Sequence, residues 1–170
     1  MNKFLWEKPP TDPWRISCSA IHVWKADLDQ IDNETGQSLV FFFSEEEKRR
    51  LNAFKFEKDR FRYAITHGMK RLIIAHYLSG LPEKIMFTSN KQGKPAIALQ
   101  QNWLKLEFNI THSHRVILIA ITIEDPIGID IEYHSERIPI ENLSNIIFSL
   151  QVSRYAPEEF RPSCPRNSFA

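Results

Sequence analysis

Cysteine is scarce in this 170-residue chain, which holds only Cys18 and Cys164. Two cysteines so far apart give neither a metal-ligand spacing nor a disulfide framework, and they favour a reduced, cytoplasmic setting. A surplus of either charge is also missing. Lys and Arg number 22 against 21 Asp and Glu, so no global argument for a nucleic acid or an anionic membrane as partner is available. Long apolar runs are absent as well. The longest, Val116–Ile121, is far too short to span a bilayer. The N-terminal MNKFLWEKPPTDPW lacks the apolar stretch of a secretory signal. What is present is a core: apolar residues make up 42%, including twelve Phe and four Trp. That composition fits one ordinary domain, or two small halves sharing an interior.

Along the chain, Ile21 and Val23 alternate with His22 and Trp24 within SAIHVWKADLD, which predicts a strand. QIDNETGQS reads as a polar loop, and LVFFF (Leu39–Phe43) returns to the core. Ser44 followed by Glu47 three residues later is a capping box and places a helix start there. A longer helix is expected from Asp59, with Phe61, Ile65, Gly68, Leu72 and Ala75 spaced for one apolar face. Arg60, Arg62, Lys70 and Arg71 lie opposite and read as a solvated face. Gly80 suits the left-handed position that ends the helix. Strand patterns then follow in IMFTS, in LKLEFNI and in RVILIAITI, the last apolar enough to be buried on both faces.

The stretch PIGIDIEYH (Pro126–His134) reads as a further strand, with Ile127, Ile129 and Ile131 on one side and Gly128, Asp130 and Glu132 on the other. Two like charges side by side form an acid/base pair, a metal site, or a structural pair satisfied by arginine. All-oxygen ligands favour Mg²⁺, Mn²⁺ or Ca²⁺, and Mg²⁺ needs only one or two carboxylates when a substrate phosphate and waters supply the rest. THSH (Thr111–His114) follows the strand LKLEFNI. His112 and His114 are compatible with zinc if His134 or a carboxylate joins them, but two hydroxyls and an imidazole suit an anion better. QGKP sets Lys94 directly after a glycine turn.

Taken together, GKP at Gly93–Pro95, FNITHS at Phe108–Ser113 and PIGIDIE at Pro126–Glu132 resemble the Sfp-type 4′-phosphopantetheinyl transferases in order and spacing. HVWKADL, FSEEEKRRLNAFKFEKDRFRYA and MKRLIIAHYL are similar to the first half of that family. The resemblance covers roughly His22 to Ser149. It implies an α+β pseudo-dimer that transfers the phosphopantetheine arm of coenzyme A to a serine of an acyl or peptidyl carrier protein, with Mg²⁺ in the cleft between the halves. Residues 1–124 then form the first half, residues 125–149 begin the second half with the metal-binding strand, and residues 150–170 form an atypical, disordered tail. The second half is thereby largely missing. Asp130 and Glu132 match the metal-binding, catalytic acids. Arg50, Arg62, Lys94, Thr111 and His112 match coenzyme A contacts, with His112 near the 3′-phosphate and counted among the catalytic group.

The family also carries a W-x-x-K-E stretch after the metal strand, whose Glu is the general base for the serine. No tryptophan occurs after Trp103 here, and no Lys-Glu pair after residue 130. Two other functions therefore stand beside the Mg²⁺-dependent transferase. One is an inactive remnant, or a module that binds coenzyme A or a carrier protein. The other is a metal-dependent phosphohydrolase using Asp130, Glu132 and His112. No nucleic-acid or membrane partner is expected.

Overall fold

Ser44 starts its helix as the sequence predicts. Its hydroxyl accepts from the Glu47 amide at 3.3 Å, and the Glu47 carboxylate accepts from the Ser44 amide at 3.0 Å. Two donors that a helix start leaves orphaned are thus satisfied reciprocally. The computed structural model describes residues 14–89 and 93–133. Those up to Glu132 belong to one compact unit, and Tyr133 begins a second. The helices of the first unit are α1 (Asn33–Leu39), α2 (Glu45–Ala53) and α3 (Glu57–Tyr77). Its strands are β1 (His22–Asp27), β2 (Phe87–Ser89), β3 (Pro95–Ile97), β4 (Leu106–Ser113) and β5 (Val116–Ile123).

The strands form an antiparallel sheet in the order β1-β5-β4 and a separate antiparallel hairpin of β2 and β3. The central place of β5 explains its unbroken apolar run, since Ile117 to Thr122 are all buried. Ile117, Ile119 and Ile121 pair with Ala26, Trp24 and His22 of β1 and with His112, Ile110 and Phe108 of β4. Directly paired residues share a face, so this row is the inner face of the sheet. It packs with Ile65, Ile73, Ile74 and Tyr77 of α3 in one core. Burying a large aliphatic side chain contributes roughly 1.5–3 kcal/mol, which makes this seam the main source of stability. At its rim the Tyr77 hydroxyl accepts from Trp24 Nε1 at 3.2 Å and lies 2.6 Å from His22 Nδ1. Burial pushes the Tyr77 phenol up to about 12.

Several sequence expectations are corrected. The supposed polar loop contains α1, started by Asp32, whose carboxylate accepts from the Thr35 amide at 2.6 Å. Ser79, not Gly80, takes the left-handed position after α3, with φ of 51°. The Gly80 amide donates to Ala75 O at 2.8 Å and the Ser79 amide to His76 O at 3.3 Å, a Schellman ending. Leu72 stands exposed, off the apolar face. Lys70 and Arg71 are buried at 5% and 2% exposure, so that side of α3 is not a solvated face. Pro126–Tyr133 forms no strand. Cys18 is disulfide-bonded, against the expectation of a reduced thiol. His134 and residues 135–170, including the expected tail, lie outside the described residues. No helix among the described residues is long and apolar enough to cross a membrane.

Candidate functional site

Side chains alternate along β4, so its predicted site residues part company. Leu106, Phe108, Ile110 and His112 face inward, whereas Glu107, Asn109, Thr111 and Ser113 form the outer row. Against that outer row lies the segment bearing the acidic pair. The Asn109 side chain accepts from the Ile129 amide at 3.3 Å, and Thr111 Oγ1 donates to Asp130 Oδ1 at 3.0 Å. From the β2–β3 hairpin, Lys94 Nζ donates to Ile127 O at 2.8 Å. Gly93 before it has φ of 78°, a left-handed conformation that only glycine adopts without strain. The hairpin turn thereby presents the lysine as the sequence implied.

Three predicted residues, Lys94, Thr111 and Asp130, are thus joined through one short segment. That segment keeps the alternation expected of a strand without the ladder: Ile127, Ile129 and Ile131 are half-buried, while Gly128, Asp130 and Glu132 are exposed. Asp130 Oδ1 also accepts from the Ile131 amide at 2.9 Å. Among the described residues no donor reaches its second oxygen. No group of three His, Cys, Asp or Glu that could hold a metal occurs among the described residues. The donor set on offer is therefore two exposed carboxylates on one side of the chain. Such hard oxygens fit a Mg²⁺ ion that takes its remaining ligands from a diphosphate and water. They do not fit zinc, which is usually held by three or four protein ligands.

His112 is exposed at the end of the inner face, opposite Ile117. Arg62 lies in α3 and lines a cleft of about 640 Å³ with Asp29, Asp59, Phe61, His114 and Arg115. Its guanidinium donates to Asp59 at 2.7 Å, and Arg115 donates to Asp29 at 2.8 Å. An anion entering this cleft meets Arg62 and Arg115, which already have carboxylate partners but carry five donors each to share, and Lys58, which has no carboxylate partner among the described residues. Arg50 is exposed on α2 and paired with Glu46 at 2.7 Å. Among the described residues no hydrogen bond or ion pair joins Arg50, Arg62 or His112 to Asp130.

Glu47 was legible in the sequence only as a cap, but it also sits at the centre of a buried charge cluster. Lys70 Nζ lies 3.1 Å from it, Arg71 Nε 2.7 Å and His67 Nδ1 3.3 Å. Burial alone would raise this carboxyl. Hydrogen bonds with His67 and the Ser44 amide, joined by the charges of Lys70 and Arg71, outweigh it and hold Glu47 well below the usual range. The other edge of Arg71 donates to Pro82 O at 2.8 Å and Ile85 O at 2.9 Å, while Lys70 Nζ sits 3.8 Å over the Phe87 ring. Asn109 is the second residue that pattern reading passed over. Its sequence signal was its place within FNITHS, two residues before Thr111, where no role was read for it.

Comparison with known proteins gives this geometry a context. The family profile described as 4′-phosphopantetheinyl transferase, N-terminal, matches residues 29–124. The chain is 30% identical over 155 residues to the 4′-phosphopantetheinyl transferase HetI of Nostoc sp. strain PCC 7120, covering 89% of this chain and 64% of that protein. It is 39% identical over 80 residues to the 4′-phosphopantetheinyl transferase AcpT of Escherichia coli K12, covering 47% of this chain and 38% of that protein. The chain therefore spans less than two thirds of the length of these relatives. With the profile matching more than half of its residues, this chain belongs to the 4′-phosphopantetheinyl transferase family.

Proposed function

We propose that the chain carries the coenzyme A-binding half of a Mg²⁺-dependent 4′-phosphopantetheinyl transferase of the holo-acyl-carrier-protein synthase type. Its acceptor would be a serine of an acyl or peptidyl carrier protein. The observation that carries this reading is the joining of Lys94, Thr111 and Asp130 through residues 127–131. In it, Asp130 and Glu132 would hold Mg²⁺, which when bound would neutralise charge on the diphosphate of coenzyme A and, through the oxygens it contacts, make the phosphorus under attack more electrophilic. Lys94 adds a positive charge beside that diphosphate. Thr111 orients the Asp130 carboxylate. Arg50, Arg62 and His112 take the nucleotide end, with His112 at the 3′-phosphate. The accompanying fold is an α+β pseudo-dimer with residues 1–124 as its first half and residues 125–149 opening the second.

A second reading rests on one sequence fact, the lack of a W-x-x-K-E stretch. Without its glutamate the polypeptide binds coenzyme A but transfers nothing at a useful rate, since losing a general base costs about 10²–10⁴-fold. Incubating the chain with Mg²⁺, coenzyme A and an apo carrier protein, followed by intact mass, separates the two. A phosphopantetheine mass increase at catalytic enzyme concentration supports the transferase. Binding of coenzyme A in calorimetry with no mass increase supports the binding module. Absence of both would sink each reading.

A further inference from the structure

We propose that Asn109 is a positioning residue for the acidic pair Asp130 and Glu132, a role that rests on the transferase reading above. Residues 126–133 belong to no strand, so no ladder fixes where the two carboxylates stand. Three side chains take over that task, Lys94 at Ile127, Asn109 at Ile129 and Thr111 at Asp130. Lys94 and Thr111 already have proposed ligand roles. Asn109 has none, and its bond goes to backbone rather than to a reactive group.

The geometry explains why one hold is insufficient. The Thr111 bond fixes a carboxylate oxygen, about which the chain could still swing. Asn109 fixes the amide one residue earlier, from a strand position that shares the Thr111 face and lies about 6.6 Å away. Two holds on consecutive residues set both the place and the direction of the segment. Glu132, two residues further on, is then turned to the exposed side together with Asp130, as the burial pattern requires. An amide is suited to the task because it offers an acceptor without adding a third negative charge beside the pair.

Hydrogen exchange read by NMR on the full chain tests the hold itself. In Asn109→Ala the Ile129 amide should exchange about 10-fold faster, with the β4 and β5 amides unchanged. Asn109→Asp keeps the acceptor and should keep Ile129 protected. Calorimetry tests the consequence: in the presence of Mg²⁺, coenzyme A should bind Asn109→Ala about 10- to 100-fold more weakly at an unchanged unfolding midpoint. Unaltered Ile129 exchange in the alanine variant would overturn the proposal at its root. Faster exchange with unaltered coenzyme A affinity would overturn the positioning role and leave the bond as local structure. If coenzyme A failed to bind even the unsubstituted chain, the transferase reading and the positioning role would fall together, whereas the exchange result would stand.

Discussion

Glu47 pairs with two nearly buried cations, Lys70 and Arg71. Removing one partner of a buried ion pair leaves the other charge uncompensated, at a cost of about 3–5 kcal/mol. Glu47→Gln should lose that amount in urea unfolding while keeping its shape as a cap. A loss below about 1 kcal/mol would show that water reaches Lys70 and Arg71. The same cluster sets a pH dependence with a definite sign. Burial lowers His67, and the cluster lowers Glu47. In both cases the unfolded chain binds protons that the folded chain refuses, so stability is complete above the ordinary ranges and falls on acidification. The urea midpoint should decline first below about pH 6.5, as unfolded His67 charges, and again below about pH 4.5. The lower step should shrink in Glu47→Gln, and a flat profile from pH 7 to pH 4 would contradict the assignment.

At the level of elements, α1 and α3 approach so closely that a methyl group would not fit. A Cβ built on Gly68 would come within 2.5 Å of Leu39 Cβ, an atom rooted in the α1 backbone. Gly68→Ala gains up to about 1 kcal/mol of helix propensity but forces the helices apart, and overpacking costs about 1–3 kcal/mol. A net loss of about 1–2 kcal/mol in chemical unfolding is expected; a stabilised variant would mean that α1 yields freely. Such contacts also mark what sequence can reveal. The capping box and the run of β5 were legible because each is encoded within a few adjacent residues. Asp32 and Thr35 carried a start signal for α1, but Gly36 and the polar DNETGQS masked it. The burial of Lys70 and Arg71 was hidden because their partner lies more than twenty residues away on another helix. In PIGIDIE the alternation was legible and survives in the burial. The strand was not there, because side chains of Asn109, Thr111 and Lys94 hold the segment where a ladder was expected.

For the molecule as a whole, the proposed function makes the two exposed carboxylates an incomplete metal shell, so ion and nucleotide should assist each other. Mg²⁺ titrated calorimetrically should bind weakly alone and about 5- to 150-fold more tightly with coenzyme A present, and coenzyme A should gain by the same factor from Mg²⁺. Equal affinities with and without coenzyme A would remove the diphosphate from the site. A different coupling runs through Arg71, which grips Glu47 with one edge and the carbonyls of Pro82 and Ile85 with the other. Those carbonyls lead into the two-stranded hairpin that ends in Lys94, and such hairpins are marginal when left to themselves. The hairpin is thus moored to the helices by the ion that answers a helix cap, in addition to Phe87 and Ile97, which enter the core it shares with the three-stranded sheet. Neutralising Glu47 loosens the mooring without unpairing the sheet, so the hairpin can lift as a separate cooperative piece at less than the global cost. Glu47→Gln would then disarm the lysine arm of the site while the rest of the unit is still folded.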